Sequence, residues 1–269
     1  MGIARHFKGE NVCELLGMST NAPTDICFSF AGLMQRGGTT GPHKDGWGIV
    51  FYEGKGIRSF HDPEPSANSE IANLVCDYPI RSKMVIGHIR QANSGSVCLE
   101  NTHPFVRELW GRNWVYAHNG QLRGIKQYPL GRYKPVGTTD SEYAFCWLMH
   151  KIDSSFDGPP KNPKQLYKKL KEWCDELNGM GVFNMLFSNS MCTFAYCSTK
   201  LYWLTRRPPF SKATLNDLDI SVDFKLKDTQ VTAGTIIATE PLTDDESWTQ
   251  MKEGEFLVFK DGEIVLNLD

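Results

Sequence analysis

The apolar residues of this chain come in short runs, and that limits the fold more than any other feature. Ile49-Val50-Phe51-Tyr52 follows Gly48 and stops just before Gly54. Met84 to Ile89 and Trp114 to His118 are runs of the same kind. A buried strand needs only about 4–8 residues, whereas a buried helix needs about 10–12 or more. The runs therefore predict strands. The third is expected to stop at Asn119-Gly120, because Asn-Gly favours a tight turn. The last third of the chain continues in the same manner, with strands expected at Val182–Ser188, Thr193–Cys197, Leu201–Thr205, Thr235–Thr239 and Phe256–Phe259. Lys260-Asp261-Gly262-Glu263 then reads as a hairpin turn before Ile264–Leu266. Pro208 to Asp228 is mixed and polar and reads as a surface loop.

Helical patterns are fewer. Glu70–Cys76 places Ile71, Leu74 and Val75 on one face. Thr139-Asp140-Ser141-Glu142 has capping-box spacing and opens a helix running to Ile152. After Asn162-Pro163, an N-cap followed by a first-turn proline, Leu166, Leu170, Trp173 and Leu177 form an amphipathic stripe. Many short strands with a few helices predict an α+β domain in which helices cover sheets. The chain shows no linker, so residues 13–269 read as one domain.

Composition removes several functional classes. The formal net charge is −2 and the isoelectric point about 6.4, which argues against nucleic acid or an anionic membrane surface as partner. No stretch approaches the roughly 20 apolar residues of a membrane span. Residues 1–12 lack the apolar region of a secretory leader. The eight cysteines include no CxxC pair, so reduced thiols in a cytoplasmic protein are expected, with no metal site and no cofactor.

Polar clusters punctuate the apolar runs: Cys13-Glu14-Leu15-Leu16-Gly17-Met18, Arg36-Gly37-Gly38, Asp45-Gly46-Trp47-Gly48, Gly87-His88-Ile89-Arg90, Asn101-Thr102-His103-Pro104-Phe105, His118-Asn119-Gly120, Thr139-Asp140-Ser141-Glu142 and Ile237-Ala238-Thr239-Glu240-Pro241-Leu242. Each alone has an ordinary explanation as a turn, a cap or a solvated charge. In this order they resemble the class II glutamine amidotransferase domain, and especially its stand-alone YafJ-type subfamily. The resemblance covers essentially all of residues 13–269. It implies the four-layer αββα sandwich of the N-terminal-nucleophile hydrolases, and hydrolysis of the side-chain amide of L-glutamine to glutamate and ammonia.

The same resemblance assigns roles residue by residue. Cys13 matches the nucleophile, whose thiol forms a γ-glutamyl thioester. Its own α-amino group matches the base. Such an amine has a pKa of about 7.7–8.0 and a thiol about 8.5, so the two are matched for proton transfer near neutrality. The Asn119 side chain and the Gly120 backbone N–H match the oxyanion hole. Arg90 matches the group that binds the α-carboxylate, and Asp140 the one that binds the α-ammonium. His103 matches a histidine lining the pocket. Asn93 falls in the substrate-binding segment, at a position where many relatives carry a hydroxyl residue. Trp47 and Arg36 are expected to be architectural, and His88 and His118 structural.

One departure bears on the chemistry. The family's cysteine is the first residue of the active protein, whereas here twelve residues precede it. With Val12 attached, the nitrogen of Cys13 is an amide and is not basic. Residues 1–12 are therefore expected to be absent from the active protein, either because translation starts at a GTG codon for Val12 or because a short propeptide is self-cleaved. If the extension is retained, a non-catalytic glutamine-binding sensor is the expectation. A hydrolase of γ-glutamyl peptides or metabolites would use the same head-group residues. A cysteine hydrolase drawing a base from His43, His88, His103 or His118 would leave Arg90, Asn119-Gly120 and Asp140 unexplained. Any ammonia acceptor is expected on a separate synthase chain.

Overall fold

The computed structural model describes residues 13–78, 80–92, 95–226 and 230–269. In chain order it contains β1 (Glu14–Thr24), α1 (Cys27–Arg36), β2 (Trp47–Glu53), β3 (Gly56–Asp62), α2 (Glu70–Asp77), β4 (Ser82–Ile89), β5 (Phe105–Leu109) and β6 (Arg112–Leu122). Then follow α3 (Asp140–Ser155), α4 (Pro163–Asn178), β7 (Gly181–Ser188), β8 (Thr193–Tyr196), β9 (Tyr202–Arg206), β10 (Lys212–Thr214) and β11 (Ser221–Asp223). The chain ends with β12 (Gly234–Ala238), β13 (Thr249–Gln250), β14 (Phe256–Lys260) and β15 (Glu263–Leu268).

Among the described residues two large antiparallel sheets result. One has seven strands in the order β13-β9-β12-β1-β4-β2-β3, and the other six in the order β15-β14-β8-β7-β6-β5. Side chains alternate between the faces of a strand, and both faces of these sheets are covered. That is why the runs are continuously apolar. In β2, Val50 and Tyr52 enter the layer between the sheets with Leu15, Ile86, Val115, Ala117, Leu186 and Ile237. Ile49 and Phe51 face the other way, with Leu16, Val85 and Ile236, into a core closed by α1 and α2. Tyr116, Met185 and Phe187 of the second sheet meet Phe145, Leu170 and Trp173 of α3 and α4. The layers are therefore helix, sheet, sheet, helix, the αββα sandwich expected.

The helix signals act where the sequence places them. Thr139 Oγ1 accepts the Glu142 N–H at 3.2 Å and caps α3. Asn162 Oδ1 accepts the Lys164 N–H at 3.1 Å, with Pro163 in the first turn of α4. All four residues of the α4 stripe are buried.

Four expectations are corrected. The Asn119-Gly120 pair is not a turn: β6 runs through it to Leu122, because β7 pairs with it rung by rung, Asn119 against Asn184 and Gly120 against Phe183. The buried face of α2 is Ala72 and Val75, leaving Ile71 and Leu74 exposed. An eight-residue helix over a sheet buries a narrow face, and the smaller residues fit closest to it. Residues 208–228 are not only loop: β10 and β11 pair there as a small ladder. The box at Thr139 is half formed. The Glu142 carboxylate, almost fully buried, instead accepts the Val136 and Gly137 N–H groups at 3.0 and 2.7 Å and pairs with Arg107 at 2.6 Å. A buried charge needs several partners, and one backbone N–H would not suffice.

Candidate functional site

One end of the sandwich gathers the polar clusters. The start of β1 lies beside the end of β4, with Glu14 opposite Ile89, and Ile89 is also opposite Trp47 at the start of β2. The end of β12 closes the other side, with Leu16 opposite Ala238. Cys13 therefore sits where four strands of one sheet begin or end, facing β6 of the other.

The thiol of Cys13 contacts the main chain of Gln91. Its Sγ donates to the Gln91 carbonyl at 3.3 Å and accepts the Gln91 N–H at 3.2 Å. Burial pushes this thiol up to about 11, against the smaller opposing pull of the Gln91 main chain and the Arg90 charge. With its nitrogen in a peptide bond, Cys13 is thus a neutral thiol near neutrality and needs a base to become a nucleophile.

Asn119 reaches Cys13 from the facing sheet. It follows Val115 and Ala117 on the inner face of β6, so it points between the sheets. Its Nδ2 donates to the Cys13 carbonyl and, at 3.4 Å, to Thr239 Oγ1. Thr239 Oγ1 also accepts the Leu15 N–H at 2.9 Å. Asn119 Oδ1 is buried with no hydrogen-bond partner among the described residues. Gly120 has φ +151°, and a Cβ there would strike the Val182 carbonyl and come within 2.9 Å of His118 Nε2. Only glycine lets β7 approach so closely.

Arg90 is buried just past β4. Its Nη1 donates to the carbonyls of Ser96 at 3.1 Å and Asp45 at 3.3 Å. Asn101 ties this loop to the entrance of α3: its Nδ2 donates to the Ser96 carbonyl at 3.0 Å and its Oδ1 accepts the Thr138 N–H at 2.8 Å. Asp140, the first residue of α3, accepts the Leu122 N–H at 2.6 Å, two residues beyond Gly120. His103 packs against His88 with ring centroids 4.2 Å apart and the ring planes tilted by 45°. Burial holds both rings well below the usual histidine range, so both are neutral.

Cys13 and Asn119 are thus in direct contact. Arg90 joins them through Gln91, and Asp140 through the end of β6. His103 joins through His88, which pairs with Leu15. Asn93 lies outside the described residues. His118 is held on both sides: its Nε2 lies 3.1 Å from the Val182 carbonyl and its Nδ1 2.9 Å from Ser141 Oγ. Its lowered pKa makes it neutral, so Nε2–H donates and Nδ1 accepts. His43 Nδ1 donates to the Arg36 carbonyl at 3.1 Å. Neither ring is placed as a base for Cys13.

Asn184 was not foreseen, and Arg36, expected to be architectural, has partners that its motif does not display. Asn184, opposite Asn119, donates to the Asn119 carbonyl at 3.3 Å, while its Oδ1 accepts the N–H groups of Ser198, Thr199 and Lys200 at 3.0–3.2 Å. A lone amide inside the apolar run Val182–Ser188 is the sequence signal for it. Arg36 is the hub of a buried charge cluster behind Cys13. It pairs with Glu14 at 3.1 Å and Asp217 at 2.9 Å, and donates to the carbonyls of Glu240 and Pro241 at 3.2 and 2.7 Å. Removing one member leaves buried charge unpaired. Arg36→Met is therefore expected to destabilise the fold by about 3–5 kcal/mol, read as a lower urea midpoint with an unchanged slope. A loss under about 1 kcal/mol would show that the cluster is solvated like a surface pair.

Comparison with known proteins places this architecture. The family model "Glutamine amidotransferases class-II" matches residues 12–269. The chain belongs to that family. It is 59% identical over 255 residues to a protein of Escherichia coli (strain K12) described as "Putative glutamine amidotransferase YafJ", a match covering 95% of this chain and 100% of that one. The crystal structure of a "predicted glutamine amidotransferase" from Pseudomonas aeruginosa superposes with a TM-score of 0.76 at 50% identity, covering 94% of this chain and 100% of that one. The glutamine phosphoribosylpyrophosphate amidotransferase of B. subtilis, at 15% identity and a TM-score of 0.58, shares the fold, with 95% of this chain covering 49% of that one. Among the described residues no helix is long and apolar enough to cross a membrane.

Proposed function

We propose that this chain hydrolyses the side-chain amide of L-glutamine through a thioester on Cys13. The observation that carries the reading is the meeting of Cys13 and Asn119 across the two sheets, where Asn119 Nδ2 donates to the carbonyl of Cys13 itself. In the active form the α-amine of Cys13 is free. It takes the thiol proton, and Sγ attacks the amide carbon of the substrate. The carbonyl oxygen gains negative charge. Asn119 Nδ2 and the Gly120 N–H donate to it, with Asn119 giving up its longer contact to Thr239. The C–N bond breaks, the amine returns its proton to the leaving nitrogen, and ammonia departs. Water then attacks the thioester, releasing glutamate and the thiol.

Substrate selection on this reading is zwitterionic. Arg90 pairs with the α-carboxylate, and Asp140 with the α-ammonium. His103 lines the same pocket. The eight cysteines, none of them in a disulfide, suit a reducing cytoplasm. Ammonia is passed to an acceptor on a separate synthase.

A groove lined by Leu99, Thr102, Pro104, Phe105, Arg107 and Val136 is formed in part by the residues on either side of His103 in the chain. It supports a second reading, in which the leaving group is larger than ammonia and the substrate is a γ-glutamyl peptide or metabolite. One assay separates the readings. The chain beginning at Cys13 is incubated with L-glutamine or with γ-glutamyl dipeptides, and glutamate release is measured. Faster turnover of glutamine is expected. Faster turnover of the dipeptides favours the second reading. Glutamine binding by calorimetry without turnover of either substrate leaves a glutamine sensor.

A further inference from the structure

The Asp45-Gly46-Trp47-Gly48 motif has no part in the chemistry above, yet Asp45 touches the segment that carries it. The ladder between β2 and β4 ends at Trp47 opposite Ile89. Beyond it the two chains stay paired: the Arg90 N–H donates to the Gly46 carbonyl at 2.8 Å, and the Asp45 N–H donates to the Arg90 carbonyl at 3.2 Å. The backbone rungs give way to a side chain at Ala92, whose N–H is taken by Asp45 Oδ2 at 2.7 Å. The Asp45 carbonyl also accepts Arg90 Nη1 at 3.3 Å. Gln91, held between these two anchored residues, presents both main-chain groups to Cys13 Sγ.

We infer that Asp45 is a positioning residue whose carboxylate, by fixing the Ala92 N–H, sets the Arg90–Ala92 segment at the distance from Cys13 that a bound amino-acid head requires. This rests on the reading that Arg90 binds the substrate α-carboxylate. The hydrogen bond is charge-assisted and short. A small misplacement of a binding group is costly when the reacting atoms are held elsewhere. Gly46 supports the arrangement, because at φ +109° it turns the chain into β2 directly after Asp45.

The test uses the chain beginning at Cys13 and the variants Asp45→Ala, Asp45→Asn, Arg90→Ala and the Asp45→Ala/Arg90→Ala pair. Asp45→Ala is expected to raise the KM for glutamine roughly tenfold with kcat little changed. Asp45→Asn keeps an acceptor oxygen and is expected to recover most of the loss. The pair is expected to be no worse than Arg90→Ala alone, since both changes disable one grip. A merely structural role would give losses that multiply, and would overturn the proposal. So would an unchanged KM in Asp45→Ala while the parent turns glutamine over. If the parent turns over no glutamine, it is the underlying reading that fails. Hydrogen exchange then still reads the clamp, because the Ala92 amide should lose protection in Asp45→Ala. Unchanged protection there also overturns it.

Discussion

Cys13→Ala is expected to release no glutamate above background, a loss on the order of 10⁴-fold or more, as for the nucleophile of other covalent hydrolases. The substitution removes one sulfur at a half-buried position just before β1. The anchors of that strand are elsewhere: Glu14 to Arg36, and Leu15 to Thr239. Folding and glutamine binding should persist, and calorimetry checks the second. Covalent labelling by diazo-oxo-norleucine should vanish together with turnover. A variant that hydrolyses glutamine normally would remove Cys13 from the mechanism. The same atom group allows a second test that leaves the thiol in place. Retaining Val12 turns the Cys13 nitrogen into an amide, and the thiol, held up to about 11 by burial, then has no base beside it. That form should be as inactive as Cys13→Ala. Full activity with Val12 retained, verified by intact mass, would sink the α-amine as base while leaving the thiol as nucleophile.

The layers of the fold were legible because local rules and packing agree in them. Runs such as Ile49–Tyr52 are apolar on both sides of the pleat, and a strand covered on both faces needs that. Thr139 and Asn162 cap helices by contacts made within three residues, so the sequence displays the cap directly. What was not legible depends on chain brought from far away. β1 and α1 hold Gly17, Gly32 and small polar residues, and their pattern is weak until Arg36 and Glu14 pair. Arg36 also meets Asp217, which lies 181 positions away. Asn119-Gly120 has the composition of a turn, and only the presence of β7 alongside extends β6 through it. The same distance effect hides Asp45. Its motif is visible in the sequence, but its partner Ala92 lies 47 residues on. The candidate site residues were picked out by the order of their motifs. The geometry adds which of them touch: Cys13 with Asn119 directly, Arg90 through Gln91, and Asp140 through Leu122.

Asn119→Ala is expected to lower kcat for glutamine by about 10²–10³-fold with little change in KM. Binding groups and an oxyanion donor act at different stages of the reaction. If Arg90 and Asp140 hold the head of the substrate equally in ground and transition states, as proposed, changes there should appear first in KM. On the proposed mechanism Asn119 donates to an oxygen that carries charge only after Sγ has attacked, so its loss should appear in kcat. One confusion must be separated. Asn119 Nδ2 also holds the Cys13 carbonyl and contacts Thr239 Oγ1, and the alanine variant could act by displacing the nucleophile. Asn119→Asp resolves this. It preserves shape while replacing a donor with an acceptor, beside both the Cys13 carbonyl and the developing oxyanion. If the amide acts as an oxyanion donor, Asn119→Asp should be at least as slow as Asn119→Ala. Asn119→Ala, which adds no charge beside the thiol, should keep wild-type labelling of Cys13 by iodoacetamide, an alkylation that develops no oxyanion. If Asn119 instead only positions Cys13, labelling should slow in step with turnover, and the oxyanion role falls to Gly120 alone.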